Sequence, residues 1–232
     1  MTLLAGCSSG QAAPAARATA SVTASATTSA TTSATTSATT SATAQAEAGR
    51  LRAALLPAPG GMRVVHGPET GAFGALAATR QGLEAARKAK LERPECAGAA
   101  QLDATQPALA GAPAAVVAYA SDTGSITQAL VELPSPAFPA PLPRRCATYT
   151  ARVNGVEVTY RTRELDMPRR GDESRAYLTT ASGGAEDTQV GTVVLRRGAV
   201  VMSLLVVGRE VEPSGLYELG GLADRKLAQA VG

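Results

Sequence analysis

From Ser25 to Thr40 the chain repeats Ser-Ala-Thr-Thr four times in succession, and a broken fifth copy, Ser41-Ala42-Thr43, follows. That run limits what can fold. Residues 8–47 hold one Arg, one Glu, no aromatic residue and a single aliphatic larger than Ala, Val22. Such a segment buries too little apolar area to offset its conformational entropy, so it reads as a disordered tether. The four-residue period is too short for a solenoid unit. A flexible coil of that length spans about 35 Å on average and about 130 Å when pulled straight. The density of Ser and Thr suits an inert spacer, and also O-linked sugars. Folding is left to residues 48–232, an ordinary length for one domain.

Ahead of the tether stands Leu4-Ala5-Gly6-Cys7. A small-residue run ending in Cys, followed by a polar stretch, resembles a bacterial lipobox. In such signals the thiol is lipidated, the preceding residues (here 1–7 with the box) act as signal, and the Cys becomes the first residue. Only six residues precede Cys7 and none is charged. A signal needs a basic start and an apolar stretch of at least about seven residues, so the expectation is a translation start upstream of Met1. The alternative is a chance Leu-Ala-Gly-Cys at the start of a cytosolic protein. The longest apolar run elsewhere, Ala199 to Val207, has about half the length of a spanning helix. One acyl chain binds a membrane only marginally; lipobox proteins resemble one another in carrying two or three. The expected location is the outer face of the cytoplasmic membrane, lipid-anchored and extracytoplasmic.

All but Arg17 of the 22 Lys and Arg, and all but Glu47 of the 19 Asp and Glu, follow residue 47, leaving +3 on the folded part. That balance argues against nucleic acid as a partner. Three Arg pairs, Arg144-Arg145, Arg169-Arg170 and Arg196-Arg197, each sit beside Pro, Gly or Cys. They read as solvated turns, with an anion- or phospholipid-facing patch as the alternative.

The first half reads helical. Arg50 to Leu56 makes a short amphipathic helix stopped by Pro57 and Pro59. Residues 57–71, rich in Gly and Pro, read as a loop. Thr70 reads as the cap of a helix running to about Leu91, with Phe73, Leu76 and Leu83 on one face and Lys88 and Lys90 near its C-terminal end. Pro94 ends it. The second half reads as strands. Ala114 to Ala120 is one; Ile126 to Leu133 fits a strand or a helix. Pro134 to Pro143 is too proline-dense for either. Thr148 to Val153 and Val156 to Arg161 flank Asn154-Gly155, a strong hairpin signal because both central residues must accept positive φ. Tyr149, Ala151 and Val153 share one face with Val156, Val158 and Tyr160. Ser174 to Thr180 continues the pattern. Val190 to Leu195 and Ala199 to Val207 make a hairpin across Arg197-Gly198. The second of these barely alternates, as a central strand covered on both faces does. A last helix from near Ser214 carries Leu216, Leu219, Ala223, Leu227 and Ala230 as its apolar stripe. The expected fold is α+β: an antiparallel sheet of about five to seven strands with helices packed on one face.

With Cys7 taken by lipid, Cys96 and Cys146 remain as an even pair in an exported protein, which points to a disulfide. One His, His66, and two cysteines without close ligand spacing do not make a zinc site, so no metal and no cofactor is expected. The cysteines also lack the C-x-x-C spacing of a redox pair.

An acylated Cys, a low-complexity tether, a helix leading to a first Cys, then Ala114 to Ala120 and a second Cys opening a strand (Cys146-Ala147-Thr148-Tyr149-Thr150) form an order similar to one actinobacterial group. That group is the PknH-like extracellular sensor domain, found on receptor kinases and on free lipoproteins. The resemblance covers roughly residues 50–230 and includes the final apolar strand and helix. It implies an antiparallel sheet with helices enclosing a cleft for an unknown ligand, a small molecule or envelope component. Kinase-linked members resemble one another in having two disulfides; this chain has Cys for one. Only Cys96 and Cys146 carry over. The chain holds no kinase, so signalling would need a separate signalling or transport protein.

One motif offers chemistry. Asp122-Thr123-Gly124-Ser125 follows the apolar run Val116 to Ala120 and resembles the active-site turn of aspartic peptidases. That chemistry needs two carboxylates sharing a proton, so a single turn would require a symmetric dimer. Asp-Thr-Gly also makes an ordinary surface turn. Residues 48–232 hold no G-x-S-x-G elbow and no phosphate loop, and two Phe without Trp make a poor stacking platform. The reading is a membrane-anchored extracytoplasmic lipoprotein acting as a non-enzymatic ligand-binding or sensor-type module. Its alternative is an envelope enzyme, most concretely a dimeric aspartic peptidase using Asp122.

Overall fold

The computed structural model describes residues 46–98, 100–184 and 186–231. Cys7, the lipobox and nearly all of the tether lie outside the described residues. Residues 46–53 are helical (α1). Then come β1 (Arg63–Ala72), a 3-10 turn (Phe73–Ala75), α2 (Ala77–Lys88), β2 (Lys90–Leu91), a second 3-10 turn (Pro94–Cys96) and α3 (Pro107–Ala110). The second half runs β3 (Pro113–Ala120), β4 (Gly124–Glu132), a third 3-10 turn (Arg144–Cys146), β5 (Thr148–Val153), β6 (Val156–Leu165), β7 (Glu173–Ser182), β8 (Thr188–Arg197), β9 (Val200–Gly208) and α4 (Pro213–Val231).

Among the described residues nine strands join one sheet in the order β1-β3-β4-β9-β8-β7-β6-β5-β2, and every pair is antiparallel. The expectation of five to seven strands undercounts it. Both missing strands are edges. β1 carries Gly67, Pro68 and Gly71, which read as a loop, and its register shifts on either side of His66. An edge tolerates Pro because one side of its backbone needs no partner. Gly67 sits at φ 78°, and a Cβ there would meet the Val116 carbonyl oxygen at 2.6 Å. Thr70 therefore lies in β1 rather than capping a helix. α2 starts at Ala77, and its N–H donates to Glu69 Oε2 at 2.8 Å. The helix stops at Lys88 because Lys90 and Leu91 pair with Arg152 and Ala151 of β5.

The hairpin at Asn154-Gly155 has both residues at positive φ, 51° and 85°, with Val153 opposite Val156. The β8–β9 turn falls on Gly198-Ala199, one residue later than read, because Arg197 pairs with Val200. β9 lies between β4 and β8, and its first half is buried on both faces.

Helices cover both faces of the sheet, not one. On the first face, Ala115, Val117 and Tyr119 of β3 and Val200, Met202 and Leu204 of β9 pack with Leu51, Ala54 and Leu55 of the α1 segment and Leu216, Ala223 and Leu227 of α4. Gly191 lets α4 and the residues before it approach: a Cβ there would lie 3.1 Å from Leu216 Cδ2 of α4 and 2.7 Å from Val211 Cγ1. On the second face, Ala114, Val116, Ala129 and Val131 pack with Phe73, Leu76 and Leu109. The apolar stripe of α2 told which residues wanted burial, but not on which side.

Two side chains fix α1 to the first face. The buried Gln128 Oε1 accepts the Leu56 N–H at 2.7 Å, and the Tyr119 hydroxyl donates to the Leu56 carbonyl. Arg50 grips Glu132 through both carboxylate oxygens at 2.6 Å. Burial pushes the Tyr119 hydroxyl above its ordinary pKa.

The second face is crossed by chain. α2 carries the chain from one edge of the sheet to the other, residues 92–112 bring it back, and the proline-rich segment 133–147 crosses from β4 to β5. The last crossing rests on β7: Arg175 donates to the Pro139 carbonyl and stacks over Phe138, and Leu142 N–H donates to the Tyr177 hydroxyl at 3.4 Å. Cys96 and Cys146, both fully buried, join the returning crossing to the proline-rich one, with Cα atoms 5.4 Å apart.

Tyr119→Phe leaves the Leu56 carbonyl buried without its donor and lowers stability by about 1–3 kcal/mol. Urea unfolding reads this as a lower midpoint with unchanged slope, and an unmoved midpoint counts against the clamp. The paired Cys96→Ser, Cys146→Ser variant loses the closure of a loop with sequence separation 50, about 4 kcal/mol on the chain-entropy account. Calorimetry of oxidised and variant protein measures it.

Candidate functional site

Between α2 and the second face of the sheet lies a cleft of about 990 Å³, at the upper end of the size of small-molecule sites. Its floor is the middle of the sheet. Val116, Thr127, Ala129, Ser203 and Leu205 line it from β3, β4 and β9. Register places them on one side: Val116 pairs with Ala129, Ala129 with Ser203, and Thr127 with Leu205.

The opposite wall is α2. Ala78, Thr79, Gly82, Leu83 and Ala86 recur at three- and four-residue spacing and line the cleft. No residue of this twelve-residue helix is buried. An amphipathic surface helix normally presses its apolar stripe into a core. Here Ala78 and Leu83 touch the second core only in part, and the small residues Gly82 and Ala86 leave the space between α2 and the sheet unfilled. The third wall is the returning crossing, with Pro94, Ala97, Leu102 and Ala104. The disulfide anchors this wall, since Cys96 lies between two of those residues. Arg93 reinforces it by donating to the Arg145 carbonyl at 2.6 Å.

The lining is chiefly apolar, with polar groups placed apart. Ser203 is 1% exposed, and its hydroxyl has no hydrogen-bond partner. Buried hydroxyls without partners are uncommon and costly. Thr192, equally buried, sits beside Leu205 on the same face. The loop wall is set by Asp103: Oδ1 accepts from the Thr105 N–H at 2.9 Å and its hydroxyl at 2.6 Å, and Oδ2 from Gln106 Nε2 at 3.3 Å. Burial alone would raise the Asp103 pKa, but these three bonds together bring it below the ordinary 3.8.

The residues singled out in the sequence fall elsewhere. Asp122 is exposed at the tip of the β3–β4 hairpin, where Ser121 N–H donates to the Gly124 carbonyl at 2.9 Å. A shallower hollow of about 410 Å³ beside that turn has Glu210 as its single carboxylate, and Asp122 does not line it. His66 Nε2 lies 2.7 Å from Glu69 Oε1 on β1, close enough for an ion pair when protonated but not aligned for a hydrogen bond. Arg196 pairs with Asp172 and Glu173, and Arg197 with Asp224. Those pairs tie β8 to its neighbours. Among the described residues no group of three His, Cys, Asp or Glu could hold a metal ion, and no helix is long and apolar enough to cross a membrane. The cleft residues escaped the sequence reading. Their one signal was the Ala and Gly spacing at 78, 82 and 86.

The crystal structure of the extracellular domain of PknH from Mycobacterium tuberculosis matches this chain with a TM-score of 0.52 at 14% identity, over 79% of this chain and 95% of that one. The chain thus shares the fold of an extracellular domain. The X-ray structure of an uncharacterised Mycobacterium smegmatis protein, the Rv0999 ortholog, aligns at a TM-score of 0.48 and 13% identity over 78% of this chain and 95% of that one. No family model and no curated protein matches.

Because the folded Asp103 pKa lies below the unfolded one, its stabilisation is present above about pH 4 and is lost as pH falls through the folded value. Titration followed by NMR is expected to show the Thr105 amide losing protection from exchange at acid pH, before the sheet amides do. Simultaneous loss would place Asp103 outside any local role.

Proposed function

We propose that the chain is a membrane-tethered, extracytoplasmic, non-enzymatic binding or sensor-type module, with the cleft under α2 as its ligand site. The observation that carries this reading is the only partly buried apolar stripe of α2 facing the sheet across about 990 Å³. A helix that gains so little from its own domain is suited to gain from an occupant, and contiguous exposed apolar surface marks sites of interaction. The fold shared with an extracellular domain and the Cys96–Cys146 bridge support an oxidising location outside the cytoplasm. In this reading lipid on Cys7 holds the chain to the outer face of the cytoplasmic membrane, residues 8–47 act as the spacer, and 48–232 bind a small molecule or envelope component. A separate signalling or transport protein reads the bound state.

Gly82 provides the test. A Cβ there meets nothing within 4 Å. Gly82→Leu therefore places a branched side chain in the cleft between α2 and the floor, while helix propensity improves by roughly 0.5–1 kcal/mol. Native mass spectrometry of protein taken from its own envelope is expected to show a small molecule retained by wild type and by Asp122→Asn, and lost from Gly82→Leu. The same spectra carry the mass of lipid at Cys7. Retention unchanged in Gly82→Leu overturns the site, and an unmodified Cys7 overturns the anchor.

A further inference from the structure

We infer that the ligand of the cleft is an anionic amphiphile: an apolar chain lying between α2 and the sheet, with its acidic head at the end of α2. This rests on the reading of the cleft as a ligand site and names what fills it. Two observations carry it. The first is shape and polarity. The floor offers Val116, Ala129 and Leu205, and the helix offers Ala78, Leu83 and Ala86. An apolar body satisfies both walls, whereas a sugar or peptide would leave most of its polar groups without partners there.

The second observation is charge at the mouth. Four charged residues line the cleft: Arg87, Lys90, Glu95 and Asp103. Both acids are engaged. Glu95 Oε1 lies 3.4 Å from Arg145 Nε, and Asp103 accepts the three hydrogen bonds of its own loop. Both cations are exposed, and neither forms a salt bridge with any described residue. They lie together where α2 passes into β2. The bonds to Asp103 come from neutral donors and leave its charge in place, so two unpaired cations face one carboxylate and the balance at the mouth is positive by one; an acidic head at the end of α2 keeps its solvation while gaining Arg87 and Lys90. Ser203 at the floor has a hydroxyl with no present partner, and Thr127 is the other polar residue of the floor, so a chain bearing an oxygen at depth would meet few polar groups.

The experiment uses the full chain and displacement of the fluorophore anilinonaphthalene sulfonate by three probes: laurate, the neutral 1-dodecanol, and acetate. Laurate is expected to displace it, dodecanol more weakly, and acetate not at all. Replacing both cations, Arg87→Gln with Lys90→Gln, should weaken laurate by roughly five- to tenfold, the worth of two exposed charge pairs, and leave dodecanol unchanged. Gly82→Leu should abolish both. Equal affinity for laurate and dodecanol, unaltered by the double variant, overturns the acidic head while leaving the cleft as a site. Failure of both chains to bind overturns the amphiphile altogether, and the co-purification experiment then decides on its own whether the cleft holds a ligand of another class. Binding that survives Gly82→Leu places the amphiphile elsewhere and also overturns the inference.

Discussion

One connection governs this fold: the chain must pass from the first strand at one edge of the sheet to the short strand at the other within residues 73–89. Laid flat, nine strands place their outer edges about 38 Å apart. A 3-10 turn, a twelve-residue helix and a few extended residues reach about 34 Å even when every piece points the same way. The sheet therefore has to curl toward α2. Curling makes the crossed face concave, and the small residues along α2 leave the concavity unfilled. The cleft is thus a result of strand order and connection length before any side chain is considered.

The same constraint explains where the bridge sits. Three crossings share the concave face, and the apolar base lies under Phe73, Leu76 and Leu109, away from the stretches that carry the cysteines: Cys96 and Cys146 lie in single 3-10 turns, and the proline-rich crossing touches β7 through Arg175 and Tyr177. Segments with few buried groups open at low free energy. Joining the two crossings covalently makes each a support for the other. The convex side needs no such device, because Leu216, Ala223 and Leu227 of α4 supply a continuous apolar seam.

What could be read from the chain followed the strength of local signals. Asn154-Gly155 needed positive φ at both residues, and its hairpin followed with its register. The near-continuous apolar run of β9 demanded cover on both faces and lies mid-sheet. The β1 strand was hidden because Gly67, Pro68 and Gly71 carry the chemistry of a loop, and only pairing with β3 makes that backbone a strand. The two-residue β2 carries no pattern at all. The site was hidden for a related reason: Gly82 and Ala86 look like filler in a helix, and Ser203 like one residue of a buried run. Their meaning depends on what stands opposite. Asp122 carried a conspicuous motif and lies exposed in the β3–β4 turn, apart from the cleft.

β3 and β4 each present one face to the Leu56 clamp and the other to the cleft. Gln128 holds the segment that follows α1, while its neighbour Thr127 lines the floor on the reverse side. Tension applied through α1 is delivered to the same two backbones that a bound molecule touches. A single layer of polypeptide therefore separates the Leu56 clamp from the floor of the cleft.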